Sequence, residues 1–214
     1  MYKKKPFFIV FEGVEGCGKS FQANKPYKNL KKNKIDTILT REPGGTKSSE
    51  LIRNLILKDY FTKDNKEKFD KYTDTLLYLA ARNEHIKNKI KPALLKKKIV
   101  ICDRFIDSTI AYQVYGKRVD IKFINNIHKK ILGKIKPSLV FVLKVSAKSS
   151  KLRLKKRKSK NRYDNFAQSF YTKAQKSFLK IAKNKKNYFI LDSSSNNDIL
   201  ENYIFNIVKK YLNI

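Results

Sequence analysis

The 214-residue chain is 41% hydrophobic, enough to bury the core of one globular domain, and its two cysteines, Cys17 and Cys102, are too few for a disulfide framework or a metal cluster. No run reaches the roughly 18 apolar residues of a membrane span, and residues 1–13 lack a cleavage-site pattern, so we expect a cytoplasmic protein. The net charge of +32 would suit a nucleic-acid binder, but the lysines are spread over every segment, which indicates a coding bias rather than one basic face.

Short apolar runs alternate with helical patterns along the chain. The predicted strands are PFFIVFE, IDTILT, KIVICD, SLVFVLKV and NYFILD. Their continuous hydrophobicity is typical of parallel strands buried on both faces. Helices are predicted over 19–32, 48–57, about 66–90 with a stop at Pro92, 108–115, 121–132, 146–158, 163–183 and 197–212. The alternation indicates an α/β fold, an open parallel five-stranded sheet flanked by helices, in a single domain covering 1–214.

Glycine and arginine are scarce and therefore informative. Average usage predicts about 15 glycines in this length, whereas the chain has 7. Five of them, Gly13, Gly16, Gly18, Gly44 and Gly45, lie in two short loops. Because lysine is so abundant here, each of the few arginines is a candidate for a site that needs the planar guanidinium fork.

The first glycine loop, GVEGCGKS, follows the first strand and matches the pattern G-x-x-x-x-G-K-[ST]. Main-chain N–H groups of such a loop cradle phosphates, Lys19 reaches the β- and γ-phosphates, and the Ser20 hydroxyl ligates Mg²⁺. A strand before and a helix after are the context that the pattern requires. The fold is therefore predicted to be P-loop NTPase-like, and the motif alone leaves an ATPase, a GTPase and a small-molecule kinase open. The predicted triphosphate-binding residues in this loop are Gly13, Val14, Glu15, Gly16, Cys17, Gly18, Lys19 and Ser20.

Two further motifs follow the second and third strands. TREPGGT comes after the second strand, CDRFIDSTIAYQ ends the third, and AAR lies between them at 80–82. Parallel strand ends meet at one sheet edge, so Asp103 and Arg104 are expected beside the first glycine loop. Together, in this order, the motifs closely resemble the thymidylate kinase family over nearly the whole chain. The resemblance implies transfer of the γ-phosphoryl group of ATP to dTMP with Mg²⁺, and a homodimer.

The resemblance also implies roles for single residues at the reacting phosphates. Arg104 grips the dTMP phosphate with help from Arg53, and Asp103 holds a Mg²⁺-bound water. Glu15 contacts the sugar 3′-hydroxyl or the metal, and Glu12 supports the loop. Arg104, Arg53 and Lys19 are the cations expected to matter most, because catalysis here consists mainly of positioning and charge neutralisation.

Base recognition is expected on the long helix. Tyr78 and Arg82 are four residues apart and share a helix face, so Tyr78 can stack on a pyrimidine while Arg82 donates to its O4. By resemblance, Tyr112 crowds a ribose 2′-hydroxyl and favours deoxynucleotides. The family's wall for thymine and deoxyribose corresponds to Ser108, Thr109, Tyr112 and Gln113.

The basic cluster LRLKKRKSKNRYD indicates a lid, which is predicted over about 146–164. Basic lid residues of the bacterial thymidylate kinases whose glycine loop lacks an arginine are matched by Arg153, Lys155, Arg157 and Arg162. Gly16 stands where the other group carries that arginine. The resemblance therefore implies that the lid supplies the transition-state cation, with Arg153 and Arg157 as first choices and Arg162 as an ATP contact.

Several positions depart from the family pattern or have no motif. Phe21 replaces a hydroxyl residue, Pro26 lies inside the first helix, and Lys144 replaces an acidic residue. His85 and His128 are expected to be surface or helix-face residues rather than catalytic bases, because neither adjoins a motif. Adenine contacts are placed only by position, around 193–195, and a dimer interface is expected on the helices around 70–90 and 104–115.

Two other functions remain open from the sequence. One is a kinase of a different nucleoside monophosphate. The other is a basic nucleic-acid-binding P-loop protein without kinase activity, which would bind DNA or RNA with steep salt dependence.

Overall fold

Parallel strands form a single five-stranded sheet within the described residues. The structure is a computed structural model that describes residues 5–58, 68–157, 163, 167–194 and 198–214. The spatial order β2-β3-β1-β4-β5 confirms the predicted open parallel α/β sheet. The strands are β1 (Phe7–Gly13), β2 (Thr37–Arg41), β3 (Ile99–Asp103), β4 (Leu139–Lys144) and β5 (Tyr188–Asp192).

Strand β1 is central because it is apolar on both faces, and all seven of its residues are buried. Phe11 stacks on Phe141 of β4, and Phe8 meets Phe105 edge to face, each pair with ring centroids 5.0 Å apart. The register sets Phe11 opposite Asp103 of β3. The glycine loop after β1 therefore begins beside the end of β3, as the motif order predicts.

Helices connect the strands. None among the described residues is both long and apolar enough to cross a membrane. The α-helices are α1 (Lys19–Lys32), α2 (Lys47–Leu57), α3 (Lys71–His85), α4 (Lys91–Leu95), α5 (Ile106–Thr109), α6 (Ile121–Leu132), α7 (Ala147–Lys155), α8 (Gln168–Ala182) and α9 (Asp198–Leu212), with π-helical segments at Ile86–Ile90 and Ile110–Gly116.

The long helix before β3 does not stop where the sequence predicts. It continues from α3 through the π-helical turn Ile86–Ile90 into α4, so the expectation that Pro92 ends it at residue 90 is wrong. The Lys91 N–H reaches back five residues to Ile86 O, and Pro92 falls in the first turn of α4. A proline is tolerated there because the first turn leaves N–H groups unpaired anyway. The predicted start at 66 lies outside the described residues.

The other helices agree with prediction in position and differ at their ends. Helix α1 runs through Pro26 over the predicted 19–32. The predicted helix 108–115 begins at Ile106 and becomes π-helical from Ile110. Of the predicted helix 163–183, the structure shows α8 from Gln168. The predicted ends at 158 and 197 lie outside the described residues.

Candidate active site

Glycines with positive φ shape the loop between β1 and α1. Gly13, Gly16 and Gly18 have φ of 139°, 71° and 86°. A Cβ on Gly13 would lie 2.5 Å from a carbonyl oxygen of β4, so a larger residue does not fit. Lys19 Nζ donates to Val14 O at 2.8 Å, which lays the ammonium over the loop. The loop has the geometry of a main-chain cradle for phosphate.

Arg104 lies where the ends of β1 and β3 meet. Its Nη2 donates to Glu15 Oε1 at 2.6 Å, and its Nη1 donates to Gly13 O at 2.9 Å and Ser108 Oγ at 3.1 Å. The Tyr112 hydroxyl donates to the second Glu15 oxygen. Arg104 has φ of 72°, a conformation that costs a non-glycine residue about 1–2 kcal/mol. These contacts therefore hold the guanidinium in a defined place.

The pair Arg104–Glu15 is ionised on both sides. Burial favours the protonated Glu15 carboxyl, but Arg104, Lys19 and the Tyr112 hydroxyl together hold its pKa below the usual value. Burial likewise opposes the charge of Arg104, yet Glu15 raises the Arg104 pKa well above its ordinary value. A fixed cation thus stands beside the phosphate cradle.

Glu12 supports the backbone that follows Arg104. Its Oε1 accepts from Phe105 N at 2.8 Å, and its Oε2 accepts from Ser108 Oγ at 2.6 Å. Glu12 is completely buried, and burial together with the neighbouring Asp107 raises its pKa to about 7. The carboxyl therefore acts through the main chain on the place of Arg104. Its hydrogen bonds with Phe105 and Ser108 go to the segment after β3 rather than to the glycine loop that the sequence expectation named.

Ser20 and Asp103 fit a divalent cation. The Ser20 hydroxyl donates to Asp103 Oδ2, and Asp103 Oδ1 is buried without a hydrogen-bond partner among the described residues. Mg²⁺ takes one or two protein oxygens and completes its shell with water and phosphate oxygens, so it needs no larger ligand set. The described part of the chain holds no group of three or more His, Cys, Asp or Glu residues arranged for a metal.

A cavity of about 590 Å³ joins the glycine loop to α3. Gly13, Val14 and Cys17 belong to the loop but do not line the cavity, and Arg162 lies outside the described residues. The predicted site residues that line the cavity are Glu15, Gly16, Gly18, Lys19, Ser20, Arg53, Tyr78, Arg82, Asp103, Arg104, Ser108, Thr109, Tyr112, Gln113, Arg153 and Arg157.

Arg82 is held in the cavity wall by hydrogen bonds on three sides. Its Nε donates to Glu42 Oε2 at 2.7 Å, and its Nη2 donates to Phe105 O at 2.8 Å. Its Nη1 donates to Thr109 Oγ1 and to His128 Nε2, each at 2.8 Å. Four of its five N–H groups are therefore used by described residues, which leaves one Nη2 N–H for a ligand.

His85 and His128 lie on α3 and α6, as a helix-face position requires, but both are buried, so the expectation of a surface position is wrong. His85 Nδ1 is 3.1 Å from Glu42 Oε1, and its Nε2 is 2.7 Å from Thr40 Oγ1. His128 accepts from Arg82. The sequence did not reveal these positions because each partner comes from an element distant along the chain.

Tyr163 is a cavity residue that the sequence reasoning missed. Its hydroxyl accepts from the Tyr78 hydroxyl at 2.6 Å, and its ring meets Tyr112 edge to face with centroids 5.9 Å apart. The available signal was an aromatic residue inside a run of basic and polar ones. Three tyrosines therefore form one aromatic wall of the cavity.

Helix α7, the described part of the predicted lid, packs directly on the glycine loop. Ser150 Oγ donates to Glu15 O at 2.9 Å, and a Cβ on Gly16 would lie 2.8 Å from Ser150 O. Arg153 donates to Gly16 O at 3.2 Å and to Ser193 O at 2.7 Å. Gly16 thus leaves room for α7, and Arg153 ties α7 to both the loop and the end of β5.

The positions that depart from the family pattern have local partners. Phe21 is 46% exposed in the cavity wall, with Lys25 Nζ 5.0 Å from its ring centroid. Lys144 pairs with its cross-strand neighbour Asp192 at 3.3 Å.

The adenine contacts expected around 193–195 stay a prediction. Ser193 is buried and donates to Cys17 O at 2.7 Å, and Ser195 lies outside the described residues.

Comparisons with known proteins agree on one family. A family model described as thymidylate kinase matches residues 11–204. The chain is 43% identical over 181 residues to the thymidylate kinase of Wolbachia sp. subsp. Brugia malayi (strain TRS). This alignment covers 83% of this chain and 82% of that protein. The chain is 40% identical over 209 residues to that of Onion yellows phytoplasma (strain OY-M), covering 96% of each. A crystal structure of thymidylate kinase from Ehrlichia chaffeensis superposes with a TM-score of 0.74 at 30% identity, covering 95% of this chain and 99% of that one.

Glu12→Gln should remove a pH-dependent loss of stability. The unfolded chain ionises Glu12 near pH 4.5 and the folded chain near 7, so this group lowers the free energy of unfolding as pH rises between those values. The loss amounts to about 3 kcal/mol, and the glutamine amide keeps an acceptor oxygen without ionising. Urea unfolding at pH 5 and pH 8 measures the free energy of unfolding of both proteins. Relative to the wild type, the variant should be more stable at pH 8 than at pH 5. An equal difference at both pH values would contradict the burial of an ionisable Glu12.

Proposed function

The chain belongs to the thymidylate kinase family, and from that premise we propose that this cavity is where it transfers the γ-phosphoryl group of ATP to dTMP, giving dTDP and ADP. The observation that carries the proposal is the place of Arg104, a partly buried cation between the glycine loop and the rest of the cavity. Two anions that repel each other must meet at that point.

In the transfer, an oxygen of the dTMP phosphate attacks the γ-phosphorus while the bond from that phosphorus to the bridging oxygen of ADP breaks. The protein contributes position and positive charge rather than a covalent intermediate. Three of the five N–H groups of Arg104 donate to described residues, so the fork retains donors for the acceptor phosphate. Lys19 lies over the loop that cradles the donor phosphates, and Arg53 lines the same cavity.

Ser20 and Asp103 would hold Mg²⁺, Ser20 directly and Asp103 through a water. The ion would neutralise charge on the donor phosphates when bound. The orphaned Oδ1 of Asp103 supports this assignment, because a buried carboxylate oxygen without a partner is costly unless a ligand supplies one.

The acceptor base is proposed to lie between the tyrosine wall and Arg82. The remaining Nη2 N–H of Arg82 suits the O4 carbonyl of thymine, and Tyr78 offers a ring for stacking. The Tyr112 ring is fixed through its hydroxyl bond to Glu15, which supports its assignment to the sugar.

The lid is proposed to supply its cation through Arg153 or Arg157, which both line the cavity. Arg153 is occupied by main-chain carbonyls of the loop and of the segment after β5, which suits an anchor. Arg157 lines the cavity just after α7, where a guanidinium can approach the phosphates.

We also propose a homodimer formed by α2 and α3. These neighbouring helices expose apolar residues at i and i+4, namely Leu51 and Leu55 on α2, and Tyr72 and Leu76 on α3. Residues 104–115, the other segment expected to contribute, contain no exposed side chain. The cytoplasmic location expected from the sequence stays a prediction.

An acceptor screen tests the function itself. The purified protein with ATP and Mg²⁺ should phosphorylate dTMP in preference to dUMP, dGMP, AMP and CMP, measured as acceptor-dependent ADP release. Stronger use of another monophosphate would contradict the assignment. DNA binding with no acceptor-dependent ADP release would favour the nucleic-acid alternative.

Arg104→Ala and Lys19→Ala should each lower kcat/KM at least about a hundredfold, as expected when a preorganised charge contact is lost. Arg104→Lys keeps the charge without the fork and should recover part of the rate. Arg118→Ala, an exposed arginine that does not line the cavity, is the control and should stay within about threefold of wild type. Near-wild-type rates in either site variant would remove that residue from the site.

Leu51→Glu combined with Leu76→Glu should convert a dimer to a monomer, because it places charges in the proposed apolar interface. Sedimentation equilibrium measures the mass. Ile199→Glu on α9, where the isoleucine is 74% exposed, is the control and should leave the dimer intact. A wild-type monomer, or a double variant that still dimerises, would refute this interface.

A further inference from the structure

We propose that His128 is a positioning residue that orients Arg82 and thereby sets the preference for the acceptor base. The inference rests on the proposed function, since it concerns how that same cavity reads its acceptor. His128 lies on α6, outside every motif that carries the family resemblance.

The contact requires a particular form of the imidazole. Arg82 Nη1 lies 2.8 Å from His128 Nε2, and a guanidinium offers donors but no acceptor. Nε2 must therefore be unprotonated, so His128 is neutral and carries its proton on Nδ1. Burial and the adjacent Arg82 charge both favour this form, and they lower the pKa of His128 to about 3. The acceptor is thus present throughout the physiological pH range.

His128 completes the set of acceptors around Arg82. Glu42 holds Nε and Phe105 O holds one Nη2 N–H, while Thr109 and His128 take the two N–H groups of Nη1. Arg82 is only 3% exposed, so an Nη1 N–H that loses its acceptor has little access to water and the guanidinium must shift to find another. A shift of Nη1 also moves the remaining Nη2 N–H, because the guanidinium is planar and rigid.

The position of that last N–H matters for selectivity. Thymine presents a carbonyl oxygen at C4, whereas cytosine presents an amino group, and a fixed donor accepts the first and rejects the second. A site that is built to form one hydrogen bond discriminates through the polar group that the wrong ligand leaves unpaired. His128 therefore acts on the ratio of the two substrates rather than on phosphoryl transfer.

Kinetics of three variants test the inference. His128→Ala should raise KM for dTMP about tenfold with little change in kcat, and lower the dTMP over dCMP ratio of kcat/KM about tenfold, the loss of roughly one hydrogen bond. His128→Gln keeps an acceptor oxygen and should restore most of the ratio. Ile124→Val, a fully buried position one turn earlier on α6, controls for packing and should keep the wild-type ratio.

A spectroscopic measurement on the wild type covers the case in which His128→Ala does not fold. With two histidines in the chain, ring ¹⁵N signals can be assigned by comparison with His128→Gln. His128 should appear neutral with its proton on Nδ1 from pH 5 to 8. Titration near pH 6.5, or a proton on Nε2, would overturn the inference.

The outcomes separate the inference from the proposed function. A wild-type protein that does not use dTMP defeats the proposed function whatever His128 does. If the wild type prefers dTMP, two results defeat the inference alone. One is a folded His128→Ala protein that keeps the whole preference, and the other is a folded His128→Gln protein that loses it.

Discussion

The partly buried ion pair between Arg104 and Glu15 is the interaction on which the site depends. It joins the glycine loop after β1 to the end of β3, and it needs both strands in register because its two charges come from different strand ends. Arg104 occupies a left-handed conformation that is unfavourable for arginine, and Glu12 holds the main chain beyond it. The shape of the glycine loop, the position of the Arg104 guanidinium and the left-handed backbone of Arg104 thus depend on each other. A change in any one of them disturbs the other two.

Carboxylates are few in this chain, and several of them lie at the site. Of 18 acidic residues against 50 basic ones, Glu12 and Glu42 are buried and Glu15 is nearly so. Glu15 and Glu42 each hold an arginine that faces the cavity, while Glu12 binds main-chain N–H groups. In a strongly cationic protein these anions give particular guanidinium groups fixed positions, whereas surface lysines stay solvated and contribute little.

Much of the fold and the site was predictable, because local patterns encode it. The sheet follows from short apolar runs, and glycines at required φ values mark the loop. The errors share a cause. The sequence pattern predicts a stop at Pro92 because a one-dimensional pattern does not show the preceding π-helical turn. It predicts surface positions for His85 and His128 because their partners lie 43 and 46 residues away. Tyr163 was missed because its role depends on Tyr78 and Tyr112, which other helices supply.

The sequence by itself determined the parallel sheet, the phosphate cradle and the family, since these depend on spacing within short segments and on the order of motifs. The tertiary structure alone decided which donors are already used. It shows Arg153 bound to main-chain carbonyls and Arg82 held by acceptors from three distant elements, with one N–H left over. Hydrogen-bond capacity is a property of three-dimensional neighbours, so only packing of the elements against each other fixes it.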